Sequence, residues 1–209
     1  MRRSLTFMLL LLAFSALACG LLDDDATTIT YHESIPLTFT IDADELCPDG
    51  SECDQDGEAP ADIELATLEQ AIDVDIIEAS GNEELADIGQ RLRSLNITSI
   101  GYGVQGNTLN FDLPEIDLHV APLGTSSIDD DEAIELATIP SIEAGANPEG
   151  DAPVAEENLE PTSELFKQFQ FTALPSTKPT IPEGSPLPPS GSATITLTLE
   201  LRIQANPLD

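Results

Sequence analysis

Tryptophan is absent from this 209-residue chain, and Phe, Tyr and Trp together make up only 4% of it. Whatever core it builds must therefore come from Ile, Leu and Val with a few Phe. The lack of Trp also argues against an aromatic sugar cleft and against the Cys–Trp–Cys pattern of antibody-type domains. Basic residues are nearly as scarce, seven Lys and Arg against 39 Asp and Glu. A surface with that balance repels nucleic acid and anionic lipid headgroups, so neither is an expected partner. Cations and basic proteins remain, and adaptation to a salty medium would also account for most of the acidity. No phosphate-binding loop, dinucleotide fingerprint or Gly-x-Ser-x-Gly elbow is present. The chain is nevertheless 41% hydrophobic, enough to bury a core in spite of its charge.

The one long apolar run is at the start, MRRSLTFMLLLLAFSALACG. Arg2 and Arg3 precede an apolar stretch from Leu5 to Leu17, which falls short of the roughly 20 residues a spanning helix needs. Small residues and a cysteine follow. This is the layout of a secretory signal. Ala16-Leu17-Ala18-Cys19 resembles the lipobox of bacterial lipoproteins, with Ala16 where leucine is usual. The resemblance covers only these residues. It implies cleavage after Ala18, acylation of Cys19, and membrane attachment through that lipid. Gly20, in place of an aspartate, implies the outer membrane. An ordinary cleaved signal with a chance cysteine is the alternative. Loss of residues 1–18 leaves five basic residues (seven less Arg2 and Arg3) against 39 acidic ones, a net charge of −34. Residues 19–27 then read as an acidic tether and 28–209 as a single domain.

Within that domain, period-two alternation predominates. Residues 28–41 read as a strand with Ile29, Tyr31, Ile35, Leu37, Phe39 and Ile41 on one face, and Pro36 suggests an edge or a bulge. ATITLTLELRI, residues 193–203, is the most regular strand. Both are expected to pack centrally. Further strands are expected at about 67–77, through Ile100, Tyr102 and Val104, through Leu109, Phe111 and Leu113, at Ile116, Leu118 and Val120, and from 133 to near Pro140. Residues 81–95 read as a helix capped by Asn82, with Leu85, Ile88, Leu92 and Leu95 on one face. A second short helix, SELFKQF, follows a cap at Thr162 or Ser163. The six prolines of 173–191 predict a loop. The fold class is therefore mainly β: an antiparallel β-sandwich, immunoglobulin-like or barrel-like, with one or two short helices.

The chemistry-bearing candidates are few. With Cys19 taken by lipid, Cys47 and Cys53 form an even pair within the acidic loop 42–62, and an exported compartment predicts a disulfide between them. The spacing is wrong for zinc. Asp54, Asp56 and Glu58 offer oxygen ligands at alternate positions, which makes calcium a candidate ligand. The EF-hand pattern fails, because Gly57 comes two places early and Leu65 stands where the bidentate Glu belongs. Asp129-Asp130-Asp131-Glu132 reads as a solvated loop. His32 and His119 alternate with apolar residues and are expected to point outward. Asn96-Ile97-Thr98 matches a glycosylation acceptor by chance. The leading expectation is a non-enzymatic, lipid-anchored module for binding, adhesion or structure at the cell envelope. A calcium-stabilised extracellular module is the first alternative, a hydrolase using paired carboxylates the second.

Overall fold

In the computed structural model, residues 28–206 are described, apart from Asp49. The signal-like leader, Cys19 and the tether lie outside the described residues. In chain order the strands are β1 (Ile29–Asp42), β2 (Gly57–Glu58), β3 (Ile63–Glu64), β4 (Leu68–Glu69), β5 (Ile72–Asp75), β6 (Leu92–Gln105) and β7 (Ile116–Ala121). They continue as β8 (Ile134–Ile139), β9 (Glu149–Asp151), β10 (Gln170–Thr177), β11 (Thr180–Ile181), β12 (Pro186–Leu187) and β13 (Ser192–Ala205). Four short helices intervene: α1 (Ala43–Leu46), α2 (Ile76–Ser80), α3 (Glu84–Ile88) and α4 (Leu159–Phe166). All strand pairs are antiparallel. The fold is mainly β and sandwich-like, as the alternation predicts.

One sheet has the order β1-β13-β6-β9. The other has the order β4-β10-β7-β8, with β5 also paired to β10. Along β13, the apolar residues from Ile195 to Ile203 are buried at every second position, and the threonines between them are half-buried on the opposite face. They join Ile35, Leu37, Phe39 and Ile41 of β1 in a single hydrophobic cluster. Ile116, Leu118 and Val120 of β7, and Phe171 and Ala173 of β10, complete that cluster from the second sheet. Phe166 of α4 stacks on Phe171 with ring centroids 4.2 Å apart. The core is aliphatic with one aromatic pair.

β13 is central, but β1 lies at the sheet edge. The expectation that both pack centrally is thus corrected for β1, and the edge reading of Pro36 agrees with the strand order. In β6, Ile97 and Ile100 are both buried although three residues apart. A bulge opposite Glu200 and Leu201 absorbs the extra residue, and Thr98 Oγ1 donates to the Glu200 carbonyl at 3.0 Å. One inserted residue restores inward alternation on both sides of it.

Other local expectations change. The helix expected over 81–95 is α-helical only from Glu84 to Ile88, followed by a 3-10 turn to Arg91. Leu92 and Leu95 belong to β6, paired with Ala205 and Ile203. The long ladder with β13 overrides a helical spacing that needed only local contacts. Ile76 and Ile77, expected to be extended, begin α2 because Asp75 caps it. Gly81, at φ 67°, ends that helix. α4 starts at Leu159, before the expected cap, since Pro161 is tolerated in a first turn. Leu109, Phe111 and Leu113 are buried in alternation, yet only Leu113 forms a bridge, to Ile142. Asn107 orders this irregular stretch. Its Nδ2 donates to the carbonyls of Glu143 and Ala146, and its Oδ1 accepts from the Leu109 N–H.

The proline-rich loop expected over 173–191 is also corrected. Its first five residues belong to β10, which is buried from Phe171 to Thr177. Pro175 sits opposite the break between β4 and β5, where its carbonyl accepts from Gln70 N–H at 3.3 Å. Its missing N–H therefore removes no bond to β7. β11 and β12 add two-residue pairings with β3 and β2.

Gly191 joins this segment to β13. It holds φ at 94°, and a Cβ there would lie 2.2 Å from the Thr108 carbonyl oxygen. Both backbone strain and backbone collision oppose any side chain. Gly191→Ala is expected to destabilise the fold by about 2 kcal/mol or more. Gly103→Ala, where a Cβ meets nothing within 4 Å, is expected to stay within about 0.5 kcal/mol. Urea melts of the two variants would check this, and equal midpoints would overturn it.

Candidate functional site

The acidic loop is held at both ends. Cys47 follows α1, its N–H bonded to the Ala43 carbonyl at 3.2 Å, while Cys53 lies in a 3-10 turn from Glu52 to Asp54. The two form the expected disulfide, with Cα atoms 5.9 Å apart. Cys53 is buried in the main cluster, so the bridge fastens the loop to the core. Asp54 Oδ2 accepts from the Gly50 N–H at 2.8 Å and closes the turn. At the far end, Gly57 and Glu58 pair with Leu187 and Pro186. Asp62 Oδ1 accepts from the Glu183 N–H at 2.9 Å.

The candidate calcium ligands Asp54, Asp56 and Glu58 follow one another along this loop. Asp54 is engaged within its own turn, Asp56 is exposed, and Glu58 lies in β2. Among the described residues no three His, Cys, Asp or Glu side chains converge as a metal site. Asp129 to Glu132 form an exposed turn, in which Asp130 Oδ1 accepts from the Glu132 N–H. His32 is exposed, as expected. His119 is half-buried, and its Nδ1 is covered without a hydrogen-bond partner among the described residues.

A cleft of about 450 Å³ lies elsewhere, between the outer edge of β1 and the segment formed by β5 and α2. Pro36 and Thr38 form one wall; Asp73, Asp75 and Glu78 form the other. Sequence reading missed this site because it depends on which strand is outermost. Asp75 is the N-cap of α2. Its Oδ1 accepts from the N–H groups of Ile77 and Glu78 at 2.9 and 3.1 Å, and its Oδ2 from Gln170 Nε2 at 2.9 Å. The Gln170 bond, then the Glu78 N–H, hold its carboxyl below the usual range; burial opposes them, and the Ile77 N–H adds the least. Asp73 Oδ1 accepts from Thr172 Oγ1 at 2.6 Å. A general acid for glycoside cleavage needs a carboxyl held above its usual range. Asp75 is shifted the other way and acts as a helix cap.

Two ties bound the cleft. Gln70 Nε2 donates to the Thr40 carbonyl at 2.8 Å, while Gln70 N–H serves Pro175 of the other sheet. Asn82 Nδ2 donates to Glu33 Oε1 at 2.6 Å. Exposed ion pairs, Lys178 with Glu64 and Lys167 with Glu164, lie on the surface. Lys178 holds the Glu64 carboxyl below its usual range. Exposed pairs of this kind contribute little to stability.

No family model matches the chain. No curated protein matches it either. Among solved structures it is similar to that of Desmodium yellow mottle tymovirus, at 14% identity and TM-score 0.31, covering 87% of this chain and 91% of that one. It is also similar to the decameric BFDV capsid protein, at 9% identity and TM-score 0.34, covering 84% of this chain and 98% of that one. The architecture rests on the strand pairing described above, not on these likenesses.

The disulfide and the Asp75 cap each generate an expectation. Replacing Cys47 and Cys53 together by serine should lower stability by about 2 kcal/mol, the chain-entropy value for a loop this short. Chemical denaturation with and without reductant measures it, and an unchanged midpoint would remove the bridge from the stability account. For Asp75, a depressed folded pKa gives stability that is present above the unfolded value, about 4. That stability is lost as pH falls through the folded value. Asp75→Asn should therefore show a shallower loss of stability on acidification below about pH 5 than the parent chain. Parallel acid limbs in the two unfolding curves would contradict this.

Proposed function

We propose that this chain is an exported, lipid-anchored module of the cell envelope whose folded domain binds a protein partner without catalysing a reaction. The observation that carries this reading is the Cys47–Cys53 disulfide. Such bonds persist in oxidising, exported compartments and are rare in the reducing cytosol. The sequence of the leader supports the same address, with Arg2 and Arg3, an apolar run, and Ala16-Leu17-Ala18 before Cys19. Several acyl chains on one cysteine give stable attachment where a single chain does not. Among the described residues no helix is long and apolar enough to cross a membrane. Attachment in this reading is through Cys19 and its lipid. Gly20 directs it to the outer membrane.

The non-catalytic part of the reading is supported by the carboxylates of the cleft. Asp73 and Asp75 are engaged in hydrogen bonds that fix β5 and α2. Metabolic labelling with radioactive palmitate tests the anchor. Label is expected in the parent chain and absent from Cys19→Ser. Label that persists in the variant, or that never enters the parent, would overturn it.

A further inference from the structure

We propose that the open edge of β1 receives an extended, basic segment of a partner protein as an added β-strand. The inference deepens the reading of the domain as a protein-binding module and names the surface and the chemistry of the partner.

Backbone direction comes first. In an antiparallel strand, the N–H and C=O of one residue point to the same side, and successive residues alternate. β1 is bonded to β13 on one side only. The Thr40 carbonyl is taken by Gln70 from outside the sheet, so the even-numbered residues of β1 direct their backbone groups outward. Pro36 is of that parity, and its missing N–H removes nothing from the ladder with β13. The carbonyls of Ser34, Pro36 and Thr38 and the N–H of Thr38 are therefore turned away from β13, to the side on which no strand pairs and α2 packs against β1.

The far wall is built in the same way. Ile76 N–H donates to the Phe169 carbonyl at 2.8 Å. Even-numbered residues here face β10, and the backbone groups of Asp73 and Asp75 turn toward the cleft. The window on β1 is limited by the Gln70–Thr40 tie at one end and the Asn82–Glu33 tie at the other. Residues 34–38 span roughly 17 Å at the rise of a strand.

Charge selects the occupant. Asp73, Asp75 and Glu78 line the wall opposite β1, and no Lys or Arg lines it. A second copy of this chain would bring 39 acidic residues against seven basic ones, so edge-to-edge pairing of two copies is opposed by repulsion. A segment with Lys or Arg at alternate positions meets the opposite situation. Main-chain bonds supply its affinity and the acidic wall its selectivity.

Fluorescence anisotropy on the full chain, purified in mild nonionic detergent, tests this with a labelled Lys-Val-Lys-Val-Lys-Val-Lys peptide. Saturable binding is expected, with affinity falling as salt rises. A Glu-Val peptide of the same length should bind at least tenfold more weakly. N-methylation of alternate peptide bonds along one edge, which leaves charge unchanged, should also weaken binding at least tenfold. Asp73→Asn combined with Glu78→Gln should reduce both affinity and its salt dependence. Absence of binding by the basic peptide would overturn the proposal, as would binding indifferent to N-methylation along either edge. The detergent-purified chain serves whether or not Cys19 is acylated, so failure of the anchor and failure of the edge site give separate results.

Discussion

The rest of the structure depends on the pairing of β13 with β1 on one side, without a break, and with β6 on the other, across bulges. Three strands of 14 residues each share one sheet. Their alternation places a broad aliphatic face on one side and threonines on the other. Such a face cannot remain in water, at about 25 cal/mol for each Å² of apolar surface left exposed. The second sheet and α4 exist to cover it. Aromatic residues are too few to fill the space, so the packing relies on branched aliphatic side chains and one stacked Phe pair. That is also why the bulge at Thr98 matters: without it, Ile97 and Ile100 could not both reach the core.

What could be read from the sequence follows from how local each signal is. The strands of β1, β7, β8 and β13 announce themselves because alternation is written into each. The cysteine pair was legible because, with Cys19 set aside, only one pairing remained. Leu92 and Leu95 were misread as helical because their spacing with Leu85 and Ile88 fits a helix. Only the distant partner β13 makes them a strand. β10 was hidden by Pro175, whose harmless position depends on a break between β4 and β5 far away in sequence. Leu109, Phe111 and Leu113 show the reverse: their alternation is real burial without a strand, secured by Asn107 and a distant loop.

The cleft was illegible for the same reason. Nothing near residues 34–38 states which neighbour β1 lacks; Pro36 only hints at it. Asp73 and Asp75 looked like two more carboxylates among 39. Their position beside an open edge emerges from the strand order, and their hydrogen bonds from Thr172 and Gln170 of another element. By contrast, Asp54, Asp56 and Glu58 were conspicuous in sequence, and among the described residues no three such side chains converge.

An open sheet edge is ordinarily a hazard, since it invites pairing with any extended chain. Three features restrict this one. Pro36 withholds a donor, Gln70 occupies the Thr40 carbonyl, and the Asn82–Glu33 bond closes the opposite end. These limit length but not identity. Identity comes from charge, because selectivity is a difference between affinities and can be built from repulsion as well as attraction. A chain this acidic repels its own copies and other acidic proteins from its unpaired edge. The same field leaves a basic segment free to approach. The acidity that argued against nucleic acid at the level of composition thus acts at the edge of β1 as a filter on which strands can join.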